Sequence, residues 1–472
     1  MIFIVIIFSI LFCLLAWRNL ELAISLLIFL LPSYLIRFQI GPLPSTLLEL
    51  MIWLVFLVWF FKHSGLTQYF KGKDKIGRFL TDRKKKSAYP FGPEIIVLLI
   101  VSFIAVGVTG FTNAALGAWK AYFFEPLLLY IVVLNVFSTD LKLPKIFWPL
   151  CLSALAVSLL AVYQKFTGNL IDNPFWAAGG TRRAVSFFGY PNAIGLYLGP
   201  LILLFIGWFS YAKFVCRAPK IFQLLIATAT VLSLMAIVFA RSAGALLGVG
   251  AGLVVFCLLA GKRARITVIA LIVFAAIGCA AVPLARHSVV DKLMLRDFSG
   301  TVRRIGWSDT WKMLSDGRLV FGAGLANFQQ TVRPYHQRGF FVSDGNADFW
   351  ERLKTDPALR ARTWQPLEIY LYPHNIFLNF WSELGLVGML LFVWIIGKMM
   401  FVSFQNSDNA NNLRFLSLGL LSAMVVILIH GLVDVPYFKN DLAVMFWLLI
   451  ASISMINNFQ INNISYENCN RP

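Results

Sequence analysis

The chain has 472 residues, of which 59% are hydrophobic and only 13% charged, with a net charge of +19. A soluble protein carries about twice that charged fraction, so a soluble core is excluded. The positive charge sits in short turns between apolar runs, which excludes a nucleic-acid-binding surface and points to a polytopic membrane protein whose basic turns set its topology.

Residues 1–17, 20–36 and 44–61 form the first apolar runs, and Pro32 interrupts the second. The first run starts without a basic leader or cleavage pattern and reads as a retained span. Nine Lys/Arg residues then crowd into Lys62–Lys86, opposed only by Asp74 and Asp82, which marks a cytoplasmic stretch. Further apolar runs cover 94–111, 117–137, 144–163, 191–212, 222–240, 243–261 and 266–285. After a long polar island at 286–374, runs at 375–401, 414–433 and 441–458 follow, then an Asn-rich tail expected to be solvated. Runs long enough to cross about 30 Å of hydrocarbon must be helices, because open sheet edges cannot face lipid. The expectation is an all-α membrane protein of about 12–13 transmembrane helices with one long extracytoplasmic loop. Alternation from the basic stretch puts 164–190, Ala240–Ser242, 286–374 and 434–440 on the outer face. The basic turns Lys213, Arg217, Lys220 and Lys262, Arg263, Arg265 fall inside.

Cys13, Cys151, Cys257 and Cys279 lie in apolar runs, while Cys216 and Cys469 lie in expected cytoplasmic stretches. None has metal or redox spacing. Asp344-Gly345-Asn346-Ala347-Asp348 opens like a calcium loop, but Phe349 and Thr355 replace the required glycine and glutamate. No Asp-x-Asp pair occurs in the outer loops, so neither metal nor cofactor is expected.

The polar residues at the outer helix ends carry the chemistry. Arg241 occupies a tight turn between two spans, either as an interfacial snorkelling arginine or as a diphosphate ligand, since a guanidinium fork matches phosphate. Arg303, Trp307 and Trp311 share one helix face, which suits an amphipathic helix lying on the membrane. Arg182 and Arg183 add a basic group, either substrate-binding or solvated. His374 follows Pro373, in or beside the first turn of the 375–401 helix. The positive helix end disfavours an imidazolium there, and a neutral ring is suited to act as a general base. His430 and Asp434, at i, i+4, form a candidate pair. Glu383 lies about 13 Å along its helix and reads as the partner of a Lys or Arg on a neighbour. Gly385 and Gly388 suit close helix contact.

The set Ala240-Arg241-Ser242, Arg303…Trp307…Gly322-Ala323-Gly324…Phe328, Pro373-His374-Asn375…Glu383-Leu384-Gly385 and His430-Gly431…Asp434 resembles the O-antigen ligase and polymerase superfamily over roughly residues 185–445. This divides the chain into N-terminal helices at 1–184, a core at 185–445 and the closing helix end and tail at 446–472. The resemblance implies a multi-pass enzyme of the bacterial inner membrane, with its site facing the periplasm. It implies transfer of a glycan from a polyprenyl (undecaprenyl) diphosphate donor to a hydroxyl of a glycolipid, glycan or protein, without metal and with inversion. His374 would be the base, and Arg241 and Arg303 the diphosphate ligands, with Arg304 as alternative to Arg303. Arg182, Arg183, His430 and Asp434 would line the substrate site, and the 286–374 loop would shape the acceptor side. A repeat-unit polymerase is the near alternative. A lipid-linked glycan flippase is the distant one, weakened by the lack of an evident internal repeat.

Overall fold

Thirteen stretches expected to be apolar spans all contain helix in the computed structural model, which describes residues 2–40, 43–63, 89–138, 141–281, 291–292, 294–343, 346, 348–408 and 412–469. Most of the basic stretch Lys62–Lys86, with Asp74 and Asp82, lies outside the described residues, as do Asp344, Gly345 and Ala347. Helix α1 (Ile2–Arg18) and α2 (Leu20–Phe29) are joined at Asn19, whose side chain caps the Leu22 N–H. Pro32 stops the second span early, and the chain turns through Leu31–Leu35 into an antiparallel hairpin, β1 (Arg37–Ile40) and β2 (Leu43–Thr46). Next come α3 (Leu47–His63), α4 (Gly92–Val108), α5 (Asn113–Trp119), α6 (Glu125–Phe137) and α7 (Pro144–Thr167). A π-turn at Lys120–Phe124 makes α5 and α6 one continuous rod. The core continues with α8 (Asn192–Phe214), α9 (Lys220–Ala240), α10 (Ala243–Ala260) and α11 (Lys262–Ala281). Beyond the polar island come α13 (Ile376–Gln405), α14 (Arg414–Gly431) and α15 (Asn440–Cys469).

Among the described residues, eight helices are long and apolar enough to cross a membrane, and three shorter apolar helices accompany them. The protein is an all-α membrane protein. The start of the tail differs from expectation, since Asn458 is buried, and α15 carries helix on through Cys469.

Small residues set the geometry of the bundle. A Cβ on Gly207 of α8 would lie 2.6 Å from the Gly419 Cα of α14. One on Gly252 of α10 would lie 2.9 Å from the Ser422 carbonyl of α14. Gly195 of α8 similarly meets Ala245 of α10. In lipid, backbones that approach this closely gain packing that the hydrophobic effect cannot supply. The trio α8–α10–α14 thereby fixes three helix ends at one pole. At the opposite pole Arg414 bonds the Leu259 carbonyl at 2.5 Å, and Lys398 pairs with Glu94 at 2.7 Å. The segments expected to share a membrane face thus meet at common poles.

The polar island is a folded cap. Helix α12 (Phe298–Ser315) starts where the Asp297 carboxylate accepts the Gly300 N–H at 2.9 Å. Met313, Leu314, Ala323, Phe328 and Val332 make a small core. Phe349, Leu353 and Leu359 make another beside the antiparallel pair β3 (Gly339–Phe341) and β4 (Trp364–Pro366). Asp309 is buried, accepts the Gln337 N–H at 2.9 Å and stands 3.6 Å from His336.

The cap is clamped to α13 through its glycines. Gly385 has φ 76° and breaks α13 into two helical pieces. A Cβ there would lie 2.1 Å from the Val320 carbonyl, so only glycine fits. The Ala323 N–H bonds the Ser382 carbonyl at 2.6 Å, and the Leu386 N–H bonds Val320 O at 3.0 Å. Among the described residues Glu383 pairs with no Lys or Arg, contrary to expectation. Its carboxylate accepts the Ala326 N–H at 2.5 Å, because the break in α13 brings the cap backbone closer than any basic side chain. Trp311 is half exposed and packs edge-on against Trp381 of α13, so this face of α12 meets protein as well as surroundings.

Candidate active site

Arg241 ends α9. Its φ of 51° and ψ of 41° are left-handed, and its N–H closes the helix on the Val238 carbonyl at 3.0 Å. Glycine is the usual residue in this conformation, and an arginine there costs about 1–2 kcal/mol. The exposed guanidinium bonds the Gly180 carbonyl at 3.3 Å.

Arg183 comes from the loop before α8. Its Nε donates to the Ala240 carbonyl at 2.9 Å, and its Nη2 donates to Asn192 Oδ1 at 3.1 Å. It is half-buried, not a solvated loop charge. Burial and the nearby charges of Arg241 and Arg303 together lower its pKa. Among the described residues no carboxylate pairs with any of these three guanidiniums, an arrangement that suits an anion. Arg182 is spent elsewhere. Its guanidinium bonds the Ala177, Lys165 and Phe166 carbonyls at 3.0–3.1 Å and closes the end of α7, because the α7 carbonyls there lack helical partners.

Arg303 on α12 donates through Nε to the Val433 carbonyl at 2.7 Å and through Nη1 to Ser299 at 2.7 Å. It therefore ties the cap to the end of α14. Arg304, one residue on, is exposed. Helical geometry turns neighbouring residues about 100° apart, and only Arg303 reaches the group.

His374 also has a left-handed backbone, with φ 50°. It stands one residue outside α13, because Asn375 takes the N-cap and accepts the Phe377 and Leu378 N–H groups at 3.0 Å. Pro373 thus precedes the helix instead of opening it, and the helix dipole acts on His374 from further away than expected. Asn375 Nδ2 donates to the Leu432 carbonyl at 3.1 Å, which anchors this corner on α14. Tyr370 and Tyr372 both meet the imidazole edge-on with ring centres 5.0 Å away.

The His374 Nδ1 lies 3.8 Å from Asp434 Oδ1, just beyond hydrogen-bond length, and is buried without a bonded partner. Asp434 accepts the Val435 N–H at 2.9 Å and Asn192 Nδ2 at 3.2 Å. Burial alone would raise the Asp434 carboxyl, but His374, His430 and the Val435 N–H hold it below the usual carboxylate range. His430 does not form the expected hydrogen-bonded pair with Asp434, because α14 ends at Gly431 and Asp434 turns toward Asn192 and His374. His430 is buried against α10, where a Cβ on Gly244 would lie 2.9 Å from its Cδ2.

The structure therefore brings together His374, Asp434, Arg183, Arg241 and Arg303, with His430 behind them, and leaves Arg182 and Arg304 apart. Asn192 was the missed member. It bridges Arg183 to Asp434, and its place directly after Tyr190-Pro191 at the head of α8 was the available signal. Tyr372 was also missed as a contact of the histidine. Among the described residues no group of three or more His, Cys, Asp or Glu is placed to hold a metal ion.

No curated protein matches the chain. Residues 228–393, from within α9 to within α13, match the family model described as O-antigen ligase. That stretch contains Arg241, Arg303 and His374, while Arg183, Asn192 and Asp434 come from beyond it. The chain is thus similar to the O-antigen ligase family over about a third of its length, and the similarity supports a ligase-type function at a membrane.

Proposed function

We propose that the protein transfers a glycan from a polyprenyl diphosphate donor to an acceptor hydroxyl at the outer face of a bacterial inner membrane. The observation that carries this reading is the imidazole of His374 beside ionised Asp434, at a pole where Arg183, Arg241 and Arg303 converge with no carboxylate partner among the described residues. Asp434 favours the tautomer with the proton on Nδ1, which leaves Nε2 to accept the hydroxyl proton. The acceptor oxygen bonds to the anomeric carbon as the bond from that carbon to the diphosphate oxygen breaks. The electron pair leaves on the diphosphate, and the arginines take up its charge. Displacement from the opposite face inverts the anomeric centre.

The ligase and polymerase readings share this chemistry and differ in the acceptor. The reading is tested by incubating the purified full chain in liposomes with an undecaprenyl-diphosphate oligosaccharide and two acceptors, lipid A-core or a second donor molecule. Mass analysis should detect a transferred glycan with wild type and none with His374→Ala. Normal transfer by a stably inserted His374→Ala protein would sink the mechanism.

A further inference from the structure

Beside a small cavity of about 30 Å³ lined by Arg303 and His374, a much larger one of about 700 Å³ lies at the same pole. Its walls come from the β1–β2 hairpin, the starts of α3 and α5, the turn before α15 and part of the cap. Most of these elements lie outside residues 228–393. Four ionisable side chains line it, two acidic (Glu49, Glu383) and two basic (Arg37, Lys439). None of the three converging arginines lines it. Such a space does not select a diphosphate. Its aromatic rings and amides suit sugar rings, which stack on aromatic faces and exchange hydrogen bonds with carboxamides and carboxylates.

Two observations connect it to a ligand and to the reaction. Asn379 is buried on α13 with 2% exposure, lines the cavity, and its Oδ1 has no hydrogen-bond partner. A buried carboxamide oxygen left unbonded costs free energy that a sugar hydroxyl would recover. Tyr372 lines this cavity as well as the small one beside Arg303 and His374. Its hydroxyl meets that of Tyr190 at 3.4 Å, and the Tyr190 ring carries the Lys439 ammonium 4.0 Å from its centre. His374 is thus bordered by Asp434, which leads through Asn192 to the arginines, and by Tyr372, which leads to the large cavity.

We propose that this cavity seats the acceptor glycan and delivers its hydroxyl to His374 past Tyr372, with the donor diphosphate on the arginine side. This rests on the transfer reaction proposed above. The cap, expected to shape the acceptor site, then supplies only part of it, and the N-terminal helices supply the rest.

The test uses the full chain in liposomes, with undecaprenyl-diphosphate oligosaccharide as donor and lipid A-core or a second donor molecule as acceptor. Ala118→Trp fills the cavity from α5, and Asn379→Leu removes the unbonded oxygen. Both should raise the acceptor KM at least tenfold and leave the donor KM within twofold. A raised donor KM with unchanged acceptor KM, or no change in either, overturns the assignment. A diazirine-bearing acceptor glycan on the wild-type chain provides a measurement independent of folding of the variants. It should label residues 34–49 and 114–122, and labelling confined to the arginine side overturns the proposal. Absence of any transfer by wild type would count against the proposed reaction itself, and the labelling result would still decide where the glycan sits.

Discussion

Two cavities share the walls made by Phe328 and Tyr372, and they differ in size and charge. The one beside Arg303 and His374 is about 30 Å³, room for roughly one water, and is lined by Arg303, Asp309, Glu368 and His374, with Arg183 and Arg241 near Arg303 but outside its walls. The other is about 700 Å³ and is lined by as many acidic as basic side chains. The difference separates two demands of glycan transfer. A leaving diphosphate needs concentrated positive charge held in place, while a sugar chain needs volume and distributed hydrogen-bonding groups. The first cavity is lined only by residues within 228–393, the stretch that matches the O-antigen ligase model, and Arg183 and Asn192 approach His374 and Asp434 from outside that stretch. The second is built largely from outside that stretch.

The comparison is broken most severely at the histidine. His374→Ala should lower transfer by about 10²–10⁴-fold, the usual contribution of a positioned general base, with insertion into liposomes unchanged by protease protection. On the arginine side, Arg241→Ala and Arg303→Ala should each cost about 10²–10³-fold in turnover, as loss of one charge-stabilising donor does. Arg304→Ala is the control and should stay within about twofold, the effect of an ordinary surface change. Equal losses at Arg303 and Arg304, measured as initial rates, would remove the distinction drawn from α12 geometry.

Asn192→Ala sharpens the comparison, because it cuts the bridge between Arg183 and Asp434 without touching the base. A loss of roughly tenfold to a hundredfold is expected from misplacement alone. The loss should appear in kcat, with acceptor KM unmoved. Gly385→Ala acts on the clamp that holds the cap over both cavities. Its left-handed backbone and the Val320 carbonyl predict a loss of at least about 1–3 kcal/mol, measurable as a lower midpoint of thermal unfolding in detergent.

The smallest effect concerns pH. The Asp434 carboxyl is held below its ordinary value in the folded protein, so its stabilisation is fully present above the unfolded value of about 4. It is lost only as pH falls from there through the folded value. The difference in thermal midpoint between wild type and Asp434→Asn should therefore be constant from pH 8 to 5 and shrink below pH 4. A difference that shrinks between pH 7 and 5 would place the carboxyl in the wrong environment.

Much of this protein was legible in its sequence. Helix positions followed from apolar run length, because a chain in lipid must satisfy every backbone group within its own helix. Arg241 and His374 stood out because charge and imidazole at span ends are costly enough to need a reason, and Arg303 because it shares a helix face with Trp307 and Trp311. Three other features depended on the folded chain. The spacing of His430 and Asp434 suggested a pair, but the end of α14 at Gly431 turned the aspartate toward Asn192 and His374. Glu383 found a backbone N–H instead of a basic partner. Arg182 and Arg183 are adjacent in sequence, yet one closes α7 and the other reaches Ala240 and Asn192 beside Arg241. Periodicity and hydropathy report each segment against its solvent, so the sequence determined which segments span and which polar residues are anomalous. Which anomalies meet depends on how α8, α10 and α14 cross at their glycines and where α13 breaks, and only the tertiary structure decided that.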